Sequence, residues 1–333
     1  MTYENIIGEL QKKIYHPVYF LYGEEPYYID LITGFISKNV LTDAEKSFNQ
    51  MIVYGKDSDG REVMNLAKRF PMMASLQVVI VKEAQDLNGF DDLVHYVEKP
   101  LKSTLLVLNY KYRNPDNRKK VFKALSQHAI CFESKKLRDY QIPGWITGYL
   151  SGRKYSIQPK AASLLSEFLG TDLSKITNEI EKLIITLSDK ETTITPEHIE
   201  KNIGISKDYN QFELQNALGN KDVLKANRII NYFAQNEKNN HITLTISSLY
   251  YYFLKLLKYY YVKDRSQKNL AALFNVNPYF VSGLVEAAKR YKPVKLVEII
   301  SILREYDMRS KGFNGDTTSS GSLLKEMIFK ILH

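Results

Sequence analysis

The stretch Val18–Ile36, which reads PVYFLYGEEPYYIDLITGFI with its leading proline, constrains this chain more than any other. Val18–Tyr22 is a short apolar run rich in β-formers. Gly23 breaks it, and from Tyr27 the apolar residues Tyr28, Ile29, Ile32, Phe35 and Ile36 recur near helical spacing. Strand, glycine turn, helix is the frame on which phosphate-binding loops are built. In such loops backbone N–H groups hold the phosphates, and a Lys-Ser/Thr pair at the helix start reaches the γ-phosphate and its metal. Here the loop is Gly23, Glu24, Glu25, Pro26, Tyr27. It has no second glycine, no lysine and no suitably placed hydroxyl, and two carboxylates stand where a polyanion would sit. The frame is present without its chemistry, and the loop is not expected to bind nucleotide.

Strands alternate with helices up to about residue 140. A short amphipathic helix is expected over 1–14. Strands follow at Val18–Tyr22, Phe48–Tyr54, Leu76–Val81, Thr104–Leu108 and Ala129–Phe132, with helices from Tyr27 and over Arg61–Phe70, Phe90–Val97 and Arg118–Gln127. Continuous apolar strands such as LQVVIV belong to a parallel sheet covered on both faces. The third strand runs into Lys82-Glu83, where a nucleotide hydrolase of this architecture carries an acidic pair for magnesium; Lys82 puts a cation there instead. Asn109, where a polar sensor of the γ-phosphate would stand, reads as a strand-end turn former.

From Tyr140 the pattern changes. Gln141-Ile142-Pro143-Gly144 is turn-rich and opens a region with no convincing strand. Helices are expected over Gln158–Leu169, over Leu173–Leu187, and from Pro196 with Thr195 as its cap. Beyond Gln211 the chain reads as helical: Phe212–Leu218, Val223–Gln235, Ile242–Lys263, Gln267–Phe274, Asn277–Arg290, Val294–Lys311 and Gly321–Leu332, with a polar loop over 313–320. The tyrosine-dense SLYYYFLKLLKYYY suggests a base-stacking platform, but Leu249, Tyr252, Phe253, Leu256, Leu257, Tyr260 and Tyr261 recur at helical spacing, which favours packing.

Composition excludes several classes. The single cysteine, Cys131, leaves no internal disulfide and no multi-cysteine zinc module, and its apolar strand suits an inert thiol. The six histidines are scattered, there is no G-x-S-x-G elbow or His-x-x-x-His pair, and no catalytic or metal-binding residues are assigned. No apolar run approaches the roughly 20 residues of a membrane span, and MTYENIIGELQKK lacks the build of a secretion signal. A cytoplasmic protein without membrane contact is therefore expected. The net charge of +9, spread over the chain, leaves direct nucleic-acid contact open. The locally basic Lys111, Arg113, Arg118, Lys119, Lys120 and Lys123 read as a solvated helix face, with DNA phosphates or an acidic partner as the alternative. In Pro71-Met72-Met73-Ala74, two flexible apolar side chains on a connection either cap the sheet or plug a partner's hydrophobic pocket.

Taken in order, PVYFLYGEEPYYID, FPMMASLQVVIVKEAQDL, GTDLSKITNEIEKL, QFELQNALGNKDVLKANRII and SILREYDMRSKG…LLKEMIFKIL resemble the delta subunit family of the bacterial DNA polymerase III clamp loader. The resemblance implies an AAA+-like α/β domain with a parallel sheet and a degenerate P-loop over 1–140. A three-helix lid over 141–210 and an all-α collar over 211–333 would follow. It implies no bound ATP, no cofactor and no intrinsic ATPase or polymerase chemistry. In this family a paired hydrophobic plug at the position of Met72 and Met73, ordinarily a leucine and an aromatic residue, enters a pocket on the ring-shaped sliding clamp, the beta subunit. The collar would join motor and delta-prime subunits, with primer–template DNA inside the assembly. The four-cysteine zinc module and Ser-Arg-Cys finger of those relatives are missing, since Cys131 follows Ile130. The competing readings are an active AAA+-type NTPase with an unorthodox loop and a stand-alone DNA-binding helical protein.

Overall fold

The computed structural model describes residues 1–188, 191–203, 206, 208–238, 240–313 and 318–333; residues 314–317 of the expected polar loop lie outside them. The chain divides into two units, Met1–Leu137 and Arg138–His333.

The first unit is a five-stranded parallel sheet in the order β2-β3-β4-β1-β5. Its strands are β1 (Val18–Gly23), β2 (Gln50–Tyr54), β3 (Gln77–Lys82), β4 (Thr104–Lys111) and β5 (Ile130–Glu133). Its helices are α1 (Tyr3–Gln11), α2 (Pro26–Asn39), α3 (Asp43–Asn49), α4 (Gly60–Ala67), α5 (Val94–Val97) and α6 (Lys120–His128). Side chains alternate across the sheet. Val18, Phe20, Val79, Val81, Leu106 and Leu108 pack with Val63 and Ala67 of α4, Tyr96 and Val97 of α5, and Val121, Phe122 and Leu125 of α6. Tyr19, Leu21, Val78, Ile80, Leu105 and Val107 point the other way, onto Ile6 and Leu10 of α1 and Ile29, Ile32 and Ile36 of α2. With both faces covered, each of these strand residues is buried. At about 1.5–3 kcal/mol per large apolar side chain, the sheet holds most of the unit's favourable burial. The parallel α/β sheet expected for this part of the chain is the one observed.

Among the boundaries that differ from the sequence reading, four bear on the site. Phe48 and Asn49 close α3, which Thr42 and Glu45 start with a reciprocal capping box, so β2 begins at Gln50. α4 ends at Ala67, not Phe70, because side chains from the sheet take its last carbonyls: the Thr104 hydroxyl donates to Ala67 O (2.9 Å), and Gln77 Nε2 donates to that hydroxyl (2.7 Å) and reaches Arg69 O (2.5 Å). β4 runs on to Lys111, which places Asn109 inside the strand opposite Leu21, buried and accepting from Thr33 Oγ1 (3.0 Å); it is not a turn former. α6 starts at Lys120, leaving Arg118 and Lys119 before it.

The second unit opens with α7 (Ile142–Ser151), in the stretch read as turn-rich. Pro143 lies in its first turn, and Ile142, Ile146 and Leu150 form its buried stripe, four residues apart. The three expected helices follow as α8 (Pro159–Leu169), α9 (Leu173–Thr186) and α10 (Pro196–Ile203). Two two-residue strands, β6 (Ser156–Ile157) and β7 (Thr193–Ile194), pair in parallel where no strand was expected. The rest is α11 (Gln211–Gly219), α12 (Val223–Gln235), α13 (Ile242–Tyr259), α14 (Gln267–Phe274), α15 (Val281–Arg290), α16 (Pro293–Ser310) and α17 (Ser320–Leu332), around one core running from Leu214 to Ile331. Tyr252 and Tyr259 are buried in it and Tyr260 packs against it, whereas Tyr261 is exposed and departs from the expected packing.

Glu213, buried on α11, receives ion pairs from Lys160 of α8 (2.7 Å) and from Lys225 of α12. Burial pushes its carboxyl pKa up, but the two lysines outweigh burial and hold it below the ordinary 4.5. A depressed folded pKa means this contribution to stability is present above the unfolded value and is lost as pH falls through the folded one. Lys225→Ala is expected to cost about 1.5–3 kcal/mol, the value of a charge-assisted hydrogen bond to a buried carboxylate. Urea titrations at pH 7 check this, and Glu213→Gln should flatten the acid limb of the stability profile.

Candidate functional site

Between α4 and β3 the chain puts large apolar side chains into water. Phe70 is 78% exposed, Met72 61% and Met73 103%. The capping of sheet residues by the methionines, one of the two sequence readings, is therefore not what the fold does with them. The backbone beneath them is fixed at both ends. On the α4 side, Gln77, Thr104 and the Tyr96 hydroxyl (3.3 Å from Ala67 O) gather the free carbonyls. On the other, Met72 N donates to Asn49 Oδ1 (2.6 Å), and Asn49 Nδ2 donates to Met72 O (2.9 Å) and to Glu45 O (3.1 Å). The Asn49 side chain thus pairs with Met72 as a neighbouring strand would, and it does so from a buried position. Met73 follows at φ +52°, a left-handed conformation that costs a non-glycine residue roughly 1–2 kcal/mol and turns its side chain outward.

Hydrogen-bonded backbone beneath exposed apolar side chains presents a hydrophobic anchor without a further cost of ordering the loop on binding. Asn49→Ala removes both bonds to Met72. It is expected to cost about 1–3 kcal/mol and to speed hydrogen exchange at the Met72 amide, while Phe70 and Met73 stay exposed. An unchanged exchange rate at Met72 would show that Asn49 does not hold the loop.

The glycine loop after β1 is closed by its own chain. Gly23 sits at φ +133°, and a Cβ there would lie 2.2 Å from Ser134 O. Ser134 N donates to Tyr22 O (2.7 Å), and Glu25 N donates back to Ser134 O (3.1 Å). Glu25 is buried and caps α2, its Oε1 accepting from Tyr27 N (3.0 Å), while Pro26 has no N–H to offer. The amides that would face a phosphate already serve a backbone carbonyl and a carboxylate, which fills the anion position at the helix start. Glu24 stays in solvent. At the end of β3 the Lys82 ammonium lies 5.5 Å from the centre of the Tyr54 ring.

The basic run is mostly neutralised by partners distant in sequence. Lys111 pairs with Asp30 of α2 (2.6 Å), Arg113 with Asp86 (2.7 Å), and Lys119 with Asp91 (3.1 Å); Arg118 pairs locally with Asp116 (2.9 Å), whose carboxyl it draws down to about 2. Lys120, the first residue of α6, is exposed. Lys123 of α6 is exposed as well, and neither it nor Lys120 forms an ion pair among the described residues, so the face expected to be solvated is so, with two free cations in place of six. Among the described residues no cluster of His, Cys, Asp and Glu could hold a metal ion, and burial pushes the Cys131 thiol pKa up, away from reactivity.

Two family models match this chain. The model for the DNA polymerase III delta subunit matches residues 19–135, and the model for the C-terminal domain of that same family matches 208–328. The chain belongs to the DNA polymerase III delta subunit family. It is 29% identical over 313 residues to DNA polymerase III subunit delta of Bacillus subtilis (strain 168), covering 91% of this chain and 90% of that one. Its fold is similar to that of the Bacillus subtilis DNA clamp loader delta protein, with a TM-score of 0.55 at 24% identity over 99% of both chains.

Within this delta-family chain, the structure brings together residues that the sequence kept apart. Asn49 and Phe70 were not among the candidates. Phe70 carried a signal, an aromatic residue beside Pro71 at the end of a helix. Asn49 carried none, because its contact with Met72 spans 23 residues.

Proposed function

We propose that this delta-family chain is the non-catalytic clamp-binding subunit of a replication clamp loader, and that Met72 and Met73 are its plug for the sliding clamp. The observation that carries this reading is the exposed methionine pair on a backbone anchored by buried Asn49. A soluble monomer does not ordinarily maintain three large apolar side chains in water within four residues unless a partner takes them up. Phe70 joins the plug as a third apolar contact. The self-closed loop at Gly23–Tyr27 and the cation at Lys82 fit a subunit that leaves ATP hydrolysis to other chains.

In this reading residues 1–140 bind the clamp. Residues 141–210 form the lid, to which α7 adds a fourth helix, and residues 211–333 form the collar that joins the motor and delta-prime subunits. Primer–template DNA is bound by the assembly in the bacterial cytoplasm. Fewer unpaired cations than the sequence suggested remain at Lys111–Lys120, so that segment contributes little to DNA contact. Among the described residues no helix is long and apolar enough to cross a membrane. Ring opening follows from binding alone if the plug prefers the open clamp: the ratio of the two affinities sets how far the clamp equilibrium moves.

The test is calorimetric titration of the full chain with its cognate sliding clamp in the absence of nucleotide. Saturable one-site binding is the expected result. No binding, together with micromolar binding of ATP, would replace this reading with that of an active NTPase.

A further inference from the structure

The chain's charge excess is not evenly spread, contrary to the sequence reading. Residues 255–295 carry nine lysines and arginines against two carboxylates, Asp264 and Glu286, so most of the net charge of +9 lies in about an eighth of the chain. The fold draws the two ends of this segment together. The Tyr260 hydroxyl, just past the end of α13, lies 2.9 Å from Ala288 O and 2.6 Å from Tyr291 O at the turn between α15 and α16. The Arg265 guanidinium sits over the ring of Tyr259 (4.6 Å), and on the far side of the turn the Lys221 ammonium sits over the ring of Tyr291 (4.9 Å). Lys258, Lys263, Arg265, Arg290 and Lys292 are all exposed, and none forms an ion pair among the described residues. Lys289, beside them, pairs with Glu286. The contrast with Lys111–Lys119, where each cation that could serve a polyanion faces a carboxylate, is direct.

Unpaired cations held together by a fixed turn repel one another, and a polyanion is the ligand that relieves this. The patch also has an aromatic member. Tyr261 is exposed between Lys258 and Lys263, and its backbone is tied to Lys258 O (3.0 Å). An exposed ring among cations suits unpaired bases, whose faces stack on it while the phosphates meet the lysines. An acidic protein surface would use the cations but not the ring.

We propose that the end of α13 together with the α15–α16 turn is a binding site for single-stranded DNA, centred on Tyr261 and served by Lys258, Lys263, Arg265, Arg290 and Lys292. The site is separate from the methionine loop and does not depend on the clamp reading. About five phosphate contacts predict a log–log salt slope near −3.5, which is roughly a 100-fold loss of affinity between 50 and 200 mM salt.

The experiment is fluorescence anisotropy of the full chain with labelled oligo(dT) across that salt range. The variants are Lys258→Ala/Lys263→Ala/Arg265→Ala/Lys292→Ala, Tyr261→Ala, and Lys119→Ala/Lys120→Ala as a control elsewhere. The quadruple variant is expected to melt like the wild type, to bind at least tenfold more weakly, and to lose about 3 from the slope. Tyr261→Ala is expected to lose about tenfold toward oligo(dT) and little toward duplex, with the control within twofold of wild type. Absence of salt-dependent binding, or wild-type affinity in the quadruple variant, overturns the proposal. Competition by poly-glutamate as strong as that by oligo(dT) at equal charge overturns it too, in favour of an acidic protein partner.

Discussion

Met72→Ala/Met73→Ala is expected to weaken binding to the sliding clamp by roughly 1000-fold while leaving the melting temperature essentially unchanged. Both side chains are largely or wholly in solvent, so truncating them removes almost no buried area and opens no cavity in the free protein. The cost appears only on binding, where central anchors that enter a pocket contribute about 2 kcal/mol or more each, and every 1.4 kcal/mol is tenfold in affinity. A methionine loses up to about 2 kcal/mol of rotamer freedom when it is immobilised, so this pair starts from a weaker plug than a leucine with an aromatic residue. Met73→Gly separates the two roles of that position. Glycine accepts φ +52° without strain, so this variant should be slightly more stable than Met73→Ala yet bind the clamp no better. The measurement is the same titration with each variant, alongside thermal melts. A folded double-alanine protein that binds the clamp as tightly as the wild type would sink the assignment of the plug.

How far the sequence reaches differs between the fold and the site. The sheet was readable because doubly covered parallel strands must be continuously apolar, as in Leu76–Val81, and because the helices between them repeat their apolar residues at helical spacing. The helices beyond Gln211 were readable for the second of these reasons. Part of what escaped was set by contacts between residues distant in the chain, and part by local signals that point two ways. The end of α4 is decided by Gln77 and Thr104, which no local rule connects to Ala67. Glu25 read as a charge that would repel phosphate, whereas in the fold it occupies the anion position itself. Lys111 looked free until α2 brought Asp30 to it across 81 residues. In α7 the Pro-Gly pair outweighed the Ile142, Ile146, Leu150 stripe, although proline in a first helical turn is no obstacle. The display of the methionines was one of two open readings, and only their exposure in the fold separates it from the other.

Gly23→Ala is expected to destabilise the first unit by about 3–5 kcal/mol, enough to lower its melting temperature by roughly 10–20 °C. Two costs add at this residue. A φ of +133° lies in a region that only glycine occupies readily, worth about 1–3 kcal/mol for an alanine. The new methyl would also stand 2.2 Å from Ser134 O, a backbone atom that cannot swing aside. Relief requires Ser134 to retreat, and with it go the bonds from Glu25 N and to Tyr22 O that close the loop over β1 and β5. Gly23 also pairs with Lys111 and bridges to Arg113, so the disturbance reaches β4 and the Lys111–Asp30 pair. The glycine that elsewhere lets a loop approach a phosphate serves here to let the loop approach its own sheet. Hydrogen exchange should therefore quicken at Glu25, Tyr27 and Ser134 in the variant, while the amides of α3 and the Met72 loop keep their protection relative to the new global stability. Melting within about 2 °C of wild type would show that this contact yields more readily than a backbone carbonyl in a sheet should.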